Sequence, residues 1–232
     1  IAAAKARLEA RQREADQARG RGPDDDRRPR NPDGTAKRGG DYARDFGVPQ
    51  DSDQTSFTDP ESRIMKQASG AFEYGYNAQT AVDAEYQIIV AAELTNCASD
   101  GRQLPAMVEA IEEALAGLPE RVLADAGYRS EATLETLADK PCELIVALGR
   151  EGKRHATLDA ERHPRTAEMA RRLDADEGKA AYRRRKAIVE APNGWIKSIL
   201  GFRQFSLRSL TKARAEWKLV CMALNLRRMA YA

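Results

Sequence analysis

The chain has 232 residues, of which 42% are hydrophobic and 32% are charged, with 38 Lys and Arg against 36 Asp and Glu. That composition allows one large domain with appendages, and its charged fraction exceeds the ~25% usual for globular proteins. No apolar run approaches the ~20 residues of a membrane span, which argues against a membrane protein. Three widely spaced cysteines predict a reduced, cytosolic setting.

Charge is strongly segregated along the chain, although the net charge is only +2. Residues 51–150 hold 7 Lys and Arg against 18 Asp and Glu, whereas residues 179–232 hold 13 against 2. A concentrated basic block favours a polyanionic partner. The alternative interpretation is a basic face that is simply solvated.

The first quarter of the chain is predicted to lie outside the main domain. Residues 1–18 have the pattern of a charged helix with few apolar positions on any face. Residues 19–56 are rich in Arg, Asp, Gly and Pro, which predicts a flexible linker. We expect one domain over residues 57–232. Because the sequence starts at Ile1 within a helical pattern, we also expect it to be a fragment.

From Tyr76 onward, strand and helix patterns alternate, which predicts an α/β layered domain. The predicted strands are Tyr76–Val82 and Tyr86–Leu94 as a hairpin, then Arg121–Asp125 and Cys142–Leu148. The predicted helices are Leu104–Leu115, one capped by Ser130, Ala180–Glu190 with a break or kink at Pro192, and one starting at Leu210. Residues 149–178 read as an insertion.

Asp125 lies where a short apolar strand opens into Ala126-Gly127-Tyr128. Ligands of open α/β sheets collect at the carboxyl ends of strands, so this carboxylate is a candidate site residue. Gly127 allows the chain to turn tightly after the strand, and it allows a substrate to approach closely. The alternative is an aspartate that merely caps a turn.

Glu190 follows a run of four basic residues on a predicted helix. The simplest explanation for Glu190 is a surface ion pair with Lys186, four residues earlier on the helix. That ion pair does not account for Arg183, Arg184 and Arg185. Two carboxylates from different elements can bind divalent cations that promote displacement at phosphorus. Flanking cations can hold a nucleic-acid backbone by phosphate contact.

Several segments in the right order resemble bacterial insertion-sequence DDE transposases. Leu123-Ala-Asp-Ala-Gly-Tyr128 resembles the segment around the second Asp of that family, and Tyr182 to Lys197 resembles its Tyr-Arg-Glu-Lys signature. The other matching segments are Thr58-Asp-Pro-Glu-Ser-Arg-Ile-Met65, Gly75-Tyr-Asn-Ala-Gln79 and Gly201-Phe-Arg-Gln-Phe205. The resemblance covers roughly residues 57–232.

This resemblance implies a ribonuclease-H-like mixed sheet flanked by helices, and a divalent metal, Mg²⁺, that cleaves and joins DNA at the ends of a mobile element. Asp125 would be its second acidic ligand and Glu190 its third, with Arg185 or Lys186 as the basic residue of the signature. It also implies a homo-oligomer on DNA in the bacterial cytoplasm, associated with the nucleoid. The DNA-binding candidates are Arg183, Arg184, Arg185, Lys186, Lys197 and Arg203.

The family's first catalytic Asp has no clear counterpart in the sequence. Asp33-Gly34-Thr35 has the residues expected around that Asp but follows no predicted strand. Asp59 lies in a predicted turn, and we expect Asp100 to cap the helix that starts at Leu104. We therefore expect the first strand and its Asp to lie upstream of Ile1, so that the chain cannot complete the site alone.

Two other functions remain open at this point. The first is a nuclease of the same fold that cuts DNA without strand transfer. The second is a non-catalytic DNA-binding module in which Asp125 and Glu190 are structural.

Overall fold

A computed structural model describes residues 1–24, 28–29, 31, 35, 40–67, 69–149 and 159–230, and for Lys186 its backbone only. The chain divides into two compact units, Ile1–Gly75 and Tyr76–Ala232. Asp33 and residues 150–158 of the predicted insertion lie outside the described residues. In the described ranges, no helix is both long enough and apolar enough to span a bilayer.

The first unit contains helix α1 (Ala2–Ala18) and a hairpin of strands β1 (Arg63–Lys66) and β2 (Phe72–Gly75). The C-terminal end of α1 is fixed by Asp16, whose side chain is 1% exposed and accepts a hydrogen bond from the Gly47 amide at 2.9 Å. The predicted turn at Asp59 is confirmed, since its carbonyl accepts from the Ser62 amide at 3.1 Å.

The second unit is mixed α/β and contains the predicted hairpin. Strands β3 (Asn77–Val82) and β4 (Ile89–Thr95) pair antiparallel, and strands β5 (Arg121–Ala124) and β6 (Glu143–Val146) pair parallel. In the described chain each of these sheets has two strands, so one edge of β3 and one edge of β5 carry no neighbouring strand.

Helix α2 (Leu104–Leu115) bridges the two sheets of the second unit. Its Leu104 and Val108 pack with the β5–β6 core, while Met107 and Ile111 pack with Ala91 of β4. Helices α3 (Glu131–Thr136) and α4 (Pro164–Asp174) close the β5–β6 side. The predicted cap at Ser130 is confirmed, because its Oγ accepts from the Thr133 amide.

Helices α5 (Asp176–Ser198) and α6 (Leu210–Met229) complete the unit. Ala213, Trp217, Cys221 and Leu224 of α6 form the predicted core face, which packs on Ile89 and Leu94 of β4. The side chain of Asn225 extends this contact, donating to the Ile89 carbonyl at 2.8 Å and accepting from its amide at 2.9 Å.

Two expectations about local structure are wrong. Helix α5 runs through Pro192 without the expected break, because Ile188, Pro192 and Ile196 recur every four residues and are all buried; a kink there stays a prediction. Asp100 does not cap α2 with its side chain. The helix starts after Gln103 without a side-chain cap, and only the Asp100 carbonyl takes part, accepting from the Gln103 amide at 2.8 Å.

Candidate active site

Asp125 follows the last residue of β5, at the carboxyl end of a parallel strand. Its Oδ1 accepts a hydrogen bond from the Gly127 amide at 2.8 Å and so caps a single 3₁₀ turn over Ala126–Tyr128. Its Oδ2 lies 4.0 Å from the Arg185 guanidinium, and the side chain remains 47% exposed. Asp125 therefore has one oxygen fixed by the backbone and the other turned towards α5.

Asp100 supplies a second carboxylate next to Asp125. Asp100 Oδ2 and Asp125 Oδ1 each lie 3.0 Å from the point where a Cβ on Gly127 would be, so the two oxygens are at most 6.0 Å apart. A Cβ at residue 127 would make tight contacts with both oxygens, which would have to move by a few tenths of an ångström. The absence of a Cβ at Gly127 is thus what allows the two carboxylates to approach each other.

The orientation of Asp100 is set by two amides from β3. Its Oδ1 accepts from Asn77 Nδ2 at 2.6 Å and from Gln79 Nε2 at 2.8 Å. Gln79 is 4% exposed, and its Oε1 accepts a hydrogen bond from the Tyr128 hydroxyl. Burial, and then the nearby carboxylates of Asp100 and Asp125, raise the pKa of Tyr128. Tyr128 therefore stays protonated and acts as a donor.

These groups lie at a groove of about 740 Å³ between the free edges of β3 and β5. Asn77–Val82 line one wall, and Arg121–Asp125 line the other. One side of the groove is apolar and comes from α2, through Leu104, Met107, Ile111 and Leu115. The residues from α5 are mixed: Ala181, Arg184, Arg185, Ile188, Val189 and Asn193.

Helix α5 presents its predicted site residues on two faces. Arg184 and Arg185 line the groove, and Arg185 also lies over the Tyr182 ring, 5.3 Å from its centroid. Glu190 is exposed and does not line the groove, because five residues on an α-helix turn it about 140° away from Arg185. The structure therefore brings Asp125 and Arg185 together, but it does not bring Glu190 to them.

The uninterrupted helix settles the relation between Glu190 and Lys197, which is seven residues further on and so on nearly the same face. Arg183 also lies on that exposed side. Four basic side chains are exposed and make no hydrogen bond or ion pair with another described residue: Arg183, Arg184, Lys197 and Arg203. The side chain of Lys186 lies outside the described part of the chain.

Sequence reasoning missed Asp100, Gln79 and Tyr128 as site residues. A signal was present, because Asn77 and Gln79 are amides at alternate positions of a strand and so share one face. Their partner Asp100 lies more than 20 residues away, and only the hairpin brings it back to them. In the described ranges, no group of three or more His, Cys, Asp or Glu is arranged to hold a metal ion.

The fold and the site define an α/β protein with acidic groups at the end of a parallel strand, beside a basic helix. A family model for the transposase DDE domain matches residues 44–226, which is most of the chain. The protein belongs to the transposase DDE domain family, and the resemblance seen in its motifs is confirmed. No curated protein and no solved structure matches the chain.

Proposed function

We propose that this protein is an insertion-sequence transposase that cleaves DNA at the ends of a mobile element and joins them to a target. The observation that carries this proposal is the position of Asp125, at the carboxyl end of β5 and at the groove lined by Arg184 and Arg185. An acidic group beside cations suits chemistry on a phosphate backbone. The setting that we propose is the bacterial cytoplasm, on nucleoid DNA.

The groove supports a ribonuclease-H-like sheet that is completed by one further strand, which the described residues do not supply. Asn77–Val82 of β3 line one wall of the groove and Arg121–Asp125 line the other, so a strand lying in it would have a strand of each pair as its neighbour. Such a strand would join the two pairs into one mixed sheet.

The geometry of β5 indicates how that strand would bind. The carbonyls of Glu120 and Ala124 accept from β6, so the intervening Arg121 and Leu123 direct their backbone groups towards the groove. A strand lying parallel to β5 would end beside Asp125. A carboxylate at its end would be the first acidic residue of the site, and neither Asp33 nor Asp59 is then required.

The acidic groups fit Mg²⁺, which proteins often bind through one or two carboxylates together with substrate phosphates. Asp125 would hold the ion, and Asp100 lies within 6.0 Å to assist it. Bound there, the ion would stabilise the charge that develops on the attacking and leaving oxygens. We keep Glu190 as the third acidic residue on the strength of the motif, with its side chain on the outer face of α5.

The chain's own residues would position the substrate. The exposed cations Arg183, Arg184, Lys197 and Arg203 would bind phosphates without reading sequence. Arg185 would neutralise part of the carboxylate charge of Asp125, which would otherwise repel the DNA backbone. The Tyr128–Gln79–Asp100 hydrogen bonds would keep the second carboxylate in place while DNA binds.

DNA binding can be tested by titrating duplex DNA over a range of salt concentrations with the variants Arg183→Gln and Arg184→Gln. Each lost phosphate contact should weaken affinity at low salt and reduce the slope of log K against log salt by about 1. Arg171→Gln is the control, since Arg171 is exposed on α4. Affinity that does not respond to salt would show that the basic face is not a DNA surface.

The chemistry separates the remaining functions. Joining of a cut end to target DNA distinguishes a transposase from a nuclease of the same fold. In a non-catalytic DNA-binding module, Asp125→Asn and Glu190→Gln would leave metal binding unchanged. Purified chain 1–232 that cuts element ends with Mg²⁺, and loses this activity on Asp125→Ala, would overturn the proposal that a further strand is needed.

A further inference from the structure

Helix α6 is apolar on two opposite sides, and only one of them packs on the core. Its inner face contains Ala213, Trp217, Cys221 and Leu224, all buried. On the other side Leu219, Met222, Leu226 and Met229 are 60%, 51%, 59% and 67% exposed. A helix with apolar residues on both sides is typical of one that is covered on both sides.

The exposed side of α6, which we call the outer stripe, consists of Ala215, Leu219, Met222, Ala223, Leu226, Met229 and Ala230. The large residues are spaced by three, four and three positions, as at the a and d positions of two heptads. The stripe is uncharged over about 22 Å of helix. Its alanines allow a second helix to approach closely.

The charged residues that flank the outer stripe are already engaged within the same chain. Lys218 pairs with Glu93 at 2.6 Å, and Glu216 accepts hydrogen bonds from the Ser206 and Leu207 amides. Arg228 donates to the Tyr86 carbonyl and to Gln87. These charges do not need to find a partner on another molecule.

We propose that the outer stripe is a dimer interface, in which α6 of one copy packs antiparallel against α6 of a second copy. The antiparallel arrangement opposes the helix dipoles and separates the two Arg227-Arg228 ends. It is self-complementary, since Met222 meets Leu226 of the other copy and Leu219 meets its Met229. A second copy would therefore cover each apolar side chain of the stripe with one of its own.

The size of the stripe agrees with a reversible dimer. Four large side chains exposed by half or more, with three alanines, present roughly 600 Å² per copy, or about 1,200 Å² in the pair, at the low end of specific interfaces. We therefore expect a weak dimer whose population depends on protein concentration. The interface locates the homo-oligomer expected from the family resemblance, and it does not depend on any cleavage chemistry.

Sedimentation equilibrium of chain 1–232 over a concentration series tests this interface. Wild type should dimerise, and Leu226→Glu, which places two carboxylates near the centre of the pair, should raise the dissociation constant at least about tenfold. Leu207→Glu is the control, because Leu207 is 46% exposed but lies outside α6. Circular dichroism should show both variants folded.

Cross-linking tests the orientation of the two helices. Mixed Met222→Cys and Leu226→Cys chains, each with the native cysteines replaced, should form the mixed disulfide in preference to either self-linked pair. Self-linking of Met222→Cys would contradict the antiparallel arrangement. A wild-type chain that stays monomeric, or equal weakening by Leu226→Glu and Leu207→Glu, would overturn the interface altogether.

Discussion

An oxygen of Asp100 and an oxygen of Asp125 lie no more than 6.0 Å apart, next to Gly127. Asp100 follows the β3–β4 hairpin and Asp125 follows β5, so this pair lies where the two sheets of the second unit meet. The groove, the amides of β3 and the arginines of α5 all meet here. The first prediction therefore concerns Gly127.

Gly127→Ala should destabilise the protein and separate the two carboxylates. The new Cβ would lie 3.0 Å from both Asp100 Oδ2 and Asp125 Oδ1, and moving both oxygens away should cost up to about 1 kcal/mol, the low end for overpacking. Gly194→Ala is the control, since nothing lies within 4 Å of its added Cβ and it is within α5. That change should stabilise by up to about 1 kcal/mol. Urea denaturation measures both, and equal effects would contradict the close approach.

Tyr128→Phe should destabilise the protein at neutral pH by about 1–2 kcal/mol, because buried Gln79 Oε1 loses its donor. Because the pKa of Tyr128 is raised from its ordinary value of 10.0 by burial and two carboxylates, the unfolded chain ionises first. Its contribution to stability is thus complete below about pH 10 and is lost as the pH rises further.

Urea denaturation at about pH 8 and about pH 11 measures this pH dependence. The loss of stability between them should be smaller in Tyr128→Phe than in wild type. Tyr86→Phe provides the matched change at a residue that is 62% exposed, and it should behave like wild type. The same alkaline slope in all three proteins would show that Tyr128 is not held in its protonated form.

Glu131→Gln should weaken the joint between α3 and α4. Glu131 Oε1 accepts from the Arg165 amide at 2.7 Å, and its Oε2 accepts from the Thr166 amide and hydroxyl at 3.0 and 2.6 Å. These donors belong to the first turn of α4, so the loss resembles that of a helix cap, about 1–2 kcal/mol.

The same carboxylate should make stability sensitive to acid. Burial alone would raise the pKa of Glu131, but its hydrogen bonds to Thr166 and Arg165 outweigh burial and lower it. The contribution is therefore present above the ordinary pKa of 4.5 and is lost as the pH falls through the lowered value. Glu135→Gln, at an exposed residue of the same helix, should change little. If the two variants melt alike at neutral pH and in acid, Glu131 is not a cap.

The amide of Leu123 should exchange its hydrogen faster than those of Val122 and Ala124. Leu123 directs its backbone towards the groove, whereas its two neighbours face β6. Hydrogen exchange followed by nuclear magnetic resonance can resolve the three residues. Equal protection would mean that the β5 edge is already paired, and the groove would then not be the place of a further strand.

The elements with strong periodicity could be predicted from the sequence. Leu104, Met107, Val108 and Ile111 recur at helical spacing and form the buried face of α2, and the hairpin of β3 and β4 follows from its alternation. The β1–β2 hairpin was missed because Phe72 and Tyr74 are exposed and no apolar face marks these strands. The parallel pairing of β5 and β6 depends on contacts distant in sequence.

The position of Asp125 after β5 could be predicted, since a carboxylate after a buried strand is a local pattern, and its role as a site residue stays a prediction. Prediction failed for Asp100, because the side chain's partners are Asn77 and Gln79 rather than the helix that follows it. The continuation of α5 through Pro192 could not be predicted. There, burial of Ile188, Pro192 and Ile196 outweighs the backbone hydrogen bond that proline cannot donate. In both cases tertiary contacts decided against the local signal.

The most direct test of the account is to map the metal site of chain 1–232 with Fe²⁺, ascorbate and peroxide, which cut the backbone close to the bound ion. We predict cleavage next to Asp125 and Asp100, suppressed by excess Mg²⁺ and abolished by Asp125→Asn. Additional cleavage near Glu190 would support it as the third acidic residue. Cleavage that avoids Asp125, or that persists unchanged in Asp125→Asn, would contradict the proposed metal site.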